Sequence, residues 1–196
     1  VITRRGLVGP AARAAGLVAV AALAGGWLGG AVHAQGAVAV PPEVGAEIAS
    51  ARMQGSGRLR FLGLSVYVAR LWVGARAAGA QDWAQVPLAL ELEYSRALVG
   101  RLIAERSLEE MRRQGEIAPP LAERWLAEMT KLFPDVKEGD RITGVKQPGV
   151  ATRIFVNGRL RGEVRDAEFT RMFFGIWLSP MTSEPRLRAD LLGSAG

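Results

Sequence analysis

The sequence predicts an α+β domain in which an antiparallel sheet is covered on one face by helices. Three observations lead there. Strand-like and helix-like stretches come in separate blocks instead of alternating one for one, and Asn157-Gly158 joins two strand-like runs in the manner of a two-residue hairpin. Phe169, Met172, Phe173, Ile176 and Trp177 stand at spacings i, i+3, i+4, i+7 and i+8, which makes one apolar helix face that must lie on something.

At the N-terminus, Arg4, Arg5 and Arg13 precede an apolar Ala/Gly-rich run over 14–31, and Val32-His33-Ala34 offers the small side chains a signal peptidase requires. Residues 1–34 are therefore expected to be a signal peptide cleaved after Ala34, with a periplasmic destination and no stable membrane span afterwards. Thr3-Arg4-Arg5-Gly6-Leu7-Val8 also resembles a twin-arginine signal, so the export route stays open between that and ordinary secretion. Residues 35–45 are small and Pro-bearing and read as a tether, with the domain expected over 46–196.

Gly55-Ser56-Gly57 reads as a turn, followed by strands over 58–62 and 64–73 with Gly63 as a bulge or a point of close approach. Pro87 to Glu93 sets Leu88, Leu90 and Leu92 against Ala89, Glu91 and Glu93, the period-two pattern of a strand with one wet face. From about Leu98 to Gln114 the pattern is helical, although Ser107-Leu108-Glu109-Glu110 is a capping-box sequence that would divide it into two short helices. Pro119-Pro120 opens the next helix, whose Leu121, Trp125, Leu126, Met129, Leu132 and Phe133 form a stripe ending before Pro134.

Asp135 to Asp140 is a turn whose carboxylate spacing fits no calcium loop. Strands over 141–146, 150–156 and 159–164 follow. Asp166 is the N-cap of the last long helix and Ser179-Pro180 ends it. A short helix capped by Ser183 then carries Leu187 and Leu191 up to Gly193.

Removal of residues 1–34 takes away the only histidine, His33, and lowers the formal charge from +6 to +3, because Arg4, Arg5 and Arg13 leave with it. The chain has no cysteine. Lacking both residue types, the mature chain cannot build a Ser-His-Asp or Cys-His unit, a zinc site of the usual ligands, a haem histidine ligand or a redox disulfide. No basic block is interleaved with aromatics, so nucleic acid is not an expected partner, and neither a cofactor nor a metal is expected. With no disulfide available, the fold must rest on its hydrophobic core, for which about 160 residues suffice in one domain.

Five segments together resemble the chalcone isomerase-like proteins, in their bacterial exported branch. They are GSGRLRFLGLSVYVARLW (Gly55 to Trp72), LELEYSRALVGRLIAERSLEEM (Leu90 to Met111), FPDVKEGDRITGV (Phe133 to Val145), FVNGRLRGEV (Phe155 to Val164) and DAEFTRMFFGIWLSPMTSEPRLRADLLG (Asp166 to Gly193). The resemblance implies an open-faced β-sandwich in which a large sheet and a layer of helices enclose an apolar cleft. It also implies a choice of contents. The plant enzymes of the family cyclise a chalcone without a cofactor, using an arginine, a threonine, a tyrosine and an asparagine. Relatives bind fatty acids and use the arginine for the carboxylate.

Carried onto this chain, the arginine falls nearest Arg52, two positions from the aligned place, with Arg58 and Arg60 as the other candidates. The threonine aligns near Leu62. The tyrosine and asparagine fall on the helix of Leu121, Ala122, Trp125 and Met129, and a further polar residue falls near Gly175. The catalytic polar set is therefore mostly missing. Tyr67 and the Tyr94-Ser95-Arg96 segment match shared positions, yet a strand tyrosine can simply pack its ring. Arg52 can equally be a solvated strand-edge charge, and Trp125, Phe173 and Trp177 can be core or cleft lining.

The expected function is a non-catalytic binder of a fatty acid or another apolar carboxylate in the cleft. The expected ligand-binding residues are Arg52, Arg58, Arg60, Tyr67, Tyr94, Trp125, Phe173 and Trp177. The alternatives are a cofactor-independent isomerase, an intramolecular lyase acting on a chalcone-like enone, and an envelope interaction protein whose cleft is filled by its own side chains.

Overall fold

The computed structural model describes residues 38–193. The expected signal peptide, its cleavage site and the first three tether residues, 35–37, lie outside them. Six strands form one sheet: β1 (Arg52–Phe61), β2 (Leu64–Val73), β3 (Leu88–Tyr94), β4 (Arg141–Gln147), β5 (Ala151–Val156) and β6 (Arg159–Val164). They pair antiparallel in chain order, so the sheet is a plain meander. Five helices accompany it: α1 (Pro42–Glu47), α2 (Gly100–Arg112), α3 (Pro119–Leu132), α4 (Ala167–Leu178) and α5 (Pro185–Leu192).

The period-two pattern of the strands sorts their side chains onto two faces. Ala69, Leu71, Val73, Leu88, Leu90, Leu92, Ile142 and Ile154 join the main core with α2, α3, α4 and α5. On the opposite face Trp72, Ala89, Val145 and Phe155 are closed over by Val44 and Ile48, at and just beyond α1. Pro42–Glu47 is thus part of the packed structure and not of a tether. That same cover explains why the expected wet face of β3 is dry at Glu91, although Glu93 at its end keeps a partly exposed side chain. Glu91 is only 2 % exposed, and its carboxylate accepts from Trp72 Nε1 at 2.9 Å, Arg141 Nη1 at 3.2 Å and Arg70 Nη1 at 3.3 Å.

Gly55 and Gly57 lie inside β1 and make no turn. A Cβ on Gly55 would stand 2.2 Å from Asp190 O, and one on Gly57 2.6 Å from Leu187 Cδ1, so the glycines let α5 rest directly on the strand. The turn comes later. Leu62 (φ 49°) and Gly63 (φ 80°) form a two-residue hairpin, matched at the other end of the chain by Asn157 (φ 49°) and Gly158 (φ 81°).

α4 begins and ends as its sequence predicts. Asp166 accepts from the amides of Glu168 and Phe169 at 3.0 Å each. Burial opposes ionisation of that carboxyl, but the Phe169 amide, the Trp125 indole, the Glu168 amide and the Arg124 guanidinium together hold it below the usual range. Phe174, Leu178 and Thr170 are buried as well as the expected stripe, because α4 is held between the sheet and α2. α2 is a single helix: Ser107 donates back to Ile103 O at 2.8 Å and so sits within the helix instead of starting a new one. Ser183 does not cap α5; Glu184 occupies the N-cap, with its amide donating to Thr182 Oγ1 at 3.1 Å.

Candidate functional site

Between the β1–β2–β3 part of the sheet and the pair α2 and α4 runs an apolar slot of about 400 Å³. Its floor is Leu59, Tyr67, Leu92, Tyr94 and Ile142, with Leu102, Ile103, Arg106, Ser107 and Glu110 on the α2 side and Phe173, Ile176 and Trp177 on the α4 side. These walls follow from helix periodicity. Leu102, Ile103, Arg106 and Glu110 stand three and four residues apart and therefore share one face of α2. From Val99 to Glu110 the wall is about 16 Å long at 1.5 Å per residue. The volume lies within the ~300–1,000 Å³ typical of small-molecule sites, and the cleft is not filled by its own side chains.

Few polar groups face this space. Tyr67 and Tyr94 are direct partners across β2 and β3, with ring centroids 5.9 Å apart in an edge-to-face arrangement. Trp177 Nε1 donates to Tyr67 Oη at 2.9 Å. Burial raises the Tyr67 phenol well above its ordinary range, and burial together with the neighbouring Tyr67 does the same for Tyr94. Both stay protonated, so both are hydrogen-bond donors at any physiological pH.

Glu110 is a further buried polar group on the wall. One carboxylate oxygen accepts from Arg106, while Oε2 has no hydrogen-bond partner and Arg113 Nε stands 3.6 Å from it. At the sheet end, Arg60 and Arg96 line the slot, and neither has a carboxylate partner among the described residues.

The structure therefore brings together five of the eight expected residues: Arg60, Tyr67, Tyr94, Phe173 and Trp177. Arg52 does not join them. It is exposed at the opposite end of β1, eight residues from Arg60, or about 26 Å along a strand. Arg58 is exposed too and donates to Ser65 Oγ at 3.4 Å; it pairs with Val68, whereas Leu59 pairs with Tyr67 on the slot side. The register slips between Leu59 and Arg60, and both of those residues line the slot. Trp125 is core: its Nε1 donates to Asp166 Oδ2 at 3.0 Å and its ring meets Phe169 edge-on at 5.6 Å.

Sequence reasoning met Arg96 only within the shared Tyr94-Ser95-Arg96 segment and missed Arg106 and Glu110. The signal for the last two was the α2 face that also carries Leu102 and Ile103.

The sequence profile of the family described as Chalcone isomerase-like matches residues 32–193. The chain is a chalcone isomerase-like protein. Among solved structures, this chalcone isomerase-like fold resembles that of a fatty-acid binding protein from Arabidopsis thaliana, with a TM-score of 0.57 and 18% identity, covering 79% of this chain and 95% of that one. An uncharacterized protein from Haemophilus influenzae is 28% identical over 107 residues, 55% of this chain and 52% of that protein. The chain thus spans about half the length of that curated relative.

Three positions where the plant enzymes of the family were expected to place polar groups are otherwise engaged in this chalcone isomerase-like domain. Leu62 is at the exposed hairpin tip, and Trp125 is locked to Asp166. Gly175 lies under the Gln114 side chain, whose Oε1 would be 1.9 Å from a Cβ there. Gln114 Nε2 instead donates to Met172 O at 2.6 Å and ties α2 to α4.

Proposed function

We propose that the protein is a non-catalytic binder of a fatty acid or a similar apolar carboxylate, held with its tail in the slot and its acid group at Arg60 and Arg96. One observation carries the reading: an open apolar slot with protonated phenols inside and two arginines without carboxylate partners at one end. A guanidinium gains a charge-assisted, bidentate pair from a carboxylate, and the apolar lining takes the tail out of water at about 25 cal/mol per Å². Glu110 at the other end disfavours the reverse orientation, because two carboxylates would then share one low-dielectric site. The name of the Arabidopsis neighbour, a fatty-acid binding protein, supports the same ligand class.

The isomerase alternative needs a free cationic group beside an enolate within the slot; there Arg106 is paired to Glu109 and Glu110, and Arg60 and Arg96 are exposed. The binding reading is tested by titrating a long-chain fatty acid into wild type, Arg60→Ala, Arg96→Ala and the double variant. A loss of about tenfold or more in the double variant is expected, since a hydrogen bond to a charged group contributes roughly 1.5–3 kcal/mol. Equal affinity in all four, or no binding at all, refutes it.

The reading also places the protein in the envelope after removal of residues 1–34. Intact mass of protein recovered from a periplasmic extract tests this, and a mass retaining those residues refutes it.

A further inference from the structure

The β1–β2 hairpin tip is built for something other than turning the chain. In the β5–β6 hairpin the first turn position, at φ 49°, is Asn157, a residue type that tolerates the left-handed region. In the β1–β2 hairpin the same position, also at φ 49°, is Leu62. A leucine there is strained, and nothing in the fold rewards it: its side chain is 86% exposed. Phe61 beside it is 66% exposed, and Leu64, Val99 and Leu102 are exposed as well. These five make up nearly half of the eleven exposed large apolar side chains among the described residues, gathered at one place.

That place is the rim of the slot. Phe61, Val99 and Leu102 line it while remaining exposed, and Leu64 pairs with Phe61 in the hairpin. The two rim segments themselves carry charge of one sign, with Asp135 beside the second, where it accepts from the Gly100 amide. Residues 58–64 and 96–102 contain Arg58, Arg60, Arg96 and Arg101 and no carboxylate; only Arg101 is paired, to Glu105.

We propose that this tip docks on an anionic lipid bilayer, Leu62 and Phe61 entering the interface while the arginines meet phospholipid headgroups, so that the rim opens toward the membrane. An apolar wedge ringed by arginines fits a surface that is greasy below and negative above. The purpose given to the surface rests on the proposed binding of an apolar carboxylate, which partitions into bilayers; the docking itself does not. A protein partner would be expected to supply carboxylates to the arginines and an apolar pocket to Leu62. The bilayer fits the tip without any such matched shape.

The absence of cysteine from the chain allows a site-specific test on the full-length protein. Leu62→Cys carries an environment-sensitive fluorophore, and Leu160→Cys, an exposed site on β6, is the control for any contribution of the apolar run near the N-terminus. With phosphatidylglycerol vesicles the label at 62 shifts to the blue and the label at 160 does not; with phosphatidylcholine vesicles neither shifts. Replacing Arg58 and Arg96 by Glu in the Leu62→Cys background removes the shift. No shift at 62, equal shifts at both sites, equal shifts with both lipids, or a shift at 62 that grows with protein concentration without vesicles overturns the proposal. Fatty-acid affinity of the same labelled protein in vesicle-free buffer is measured alongside. Binding kept with no shift sinks only the docking, and a shift without binding sinks only the function proposed above.

Discussion

Trp177 donates its indole N–H to the Tyr67 hydroxyl at 2.9 Å, tying α4 to the sheet within the slot. Each side chain fixes the other. Tyr67→Phe removes the acceptor and leaves a buried indole donor unmatched, at a cost of about 1–3 kcal/mol. Urea unfolding should report that loss, together with a change in tryptophan emission; an unchanged midpoint would show that the indole finds another acceptor.

Lys146 gives the protein an unusual pH dependence. It is 1% exposed, its Nζ donates to Ala84 O at 2.7 Å, and it has no salt bridge among the described residues. Burial pushes its pKa down to about 8 from 10.5. Between those values the unfolded chain binds the extra proton, so stability rises with pH across that window. Tyr67 and Tyr94 act the other way. Their folded values lie above 10, so above pH 10 the unfolded chain loses protons that the folded state keeps, and stability falls. Urea midpoints should therefore climb from pH 8 toward 10 and then decline, and Lys146→Met should abolish the climb. A flat profile in wild type would contradict this.

Gly55→Ala is expected to be more damaging than Gly57→Ala. The first sets a methyl group 2.2 Å from the backbone oxygen of Asp190, while the nearest atom at the second is the end of the Leu187 side chain at 2.6 Å. Backbone cannot step aside as a rotamer can. Overpacking at Gly55 should cost at least the upper part of the ~1–3 kcal/mol range, read as a fall in melting temperature. Equal losses at both positions would show that α5 moves as a unit.

Asp166→Ala removes both amide partners at the start of α4, the acceptor of Trp125 Nε1 and the ion pair to Arg124 at 2.7 Å. Loss of a cap alone costs about 1–2 kcal/mol. The orphaned indole should take the total beyond that. Asp166→Asn, which keeps a cap oxygen, should recover most of it, as thermal unfolding would show.

Much of this architecture is legible in the sequence because local rules and tertiary packing agree. Asp166, the Phe169–Trp177 stripe and Pro180 announce α4 completely, and Asn157-Gly158 announces the last hairpin. Where local rules misled, the cause was a neighbour distant in the chain. Gly55 and Gly57 read as a turn because nothing nearby shows that α5, over a hundred residues later, will press on them. Glu91 and Glu93 read as wet because α1 lies far upstream, yet Glu91 is covered.

The candidate site is similarly divided. Tyr67 and Tyr94 on its floor were identifiable because the resemblance marks them as shared positions. Its wall depends on which face of α2 turns inward, so Arg106 and Glu110 were not. Arg52 was favoured because a two-residue shift preserves the face of a strand, but the register slip near Arg60 lets another arginine reach the slot.

The meander leaves β6 paired with β5 alone among the described residues, so its outer amides and carbonyls form a ledge on which a second molecule's strand could add. Arg159, Arg161 and Glu163 stand exposed along it. Any copy stacking there edge to edge would have to crowd or strip water from these charges, a safeguard against fibril-like association that matters for a chain with no disulfide to limit unfolding. Neutralising the ledge, more than weakening the core, is the change that should promote aggregation.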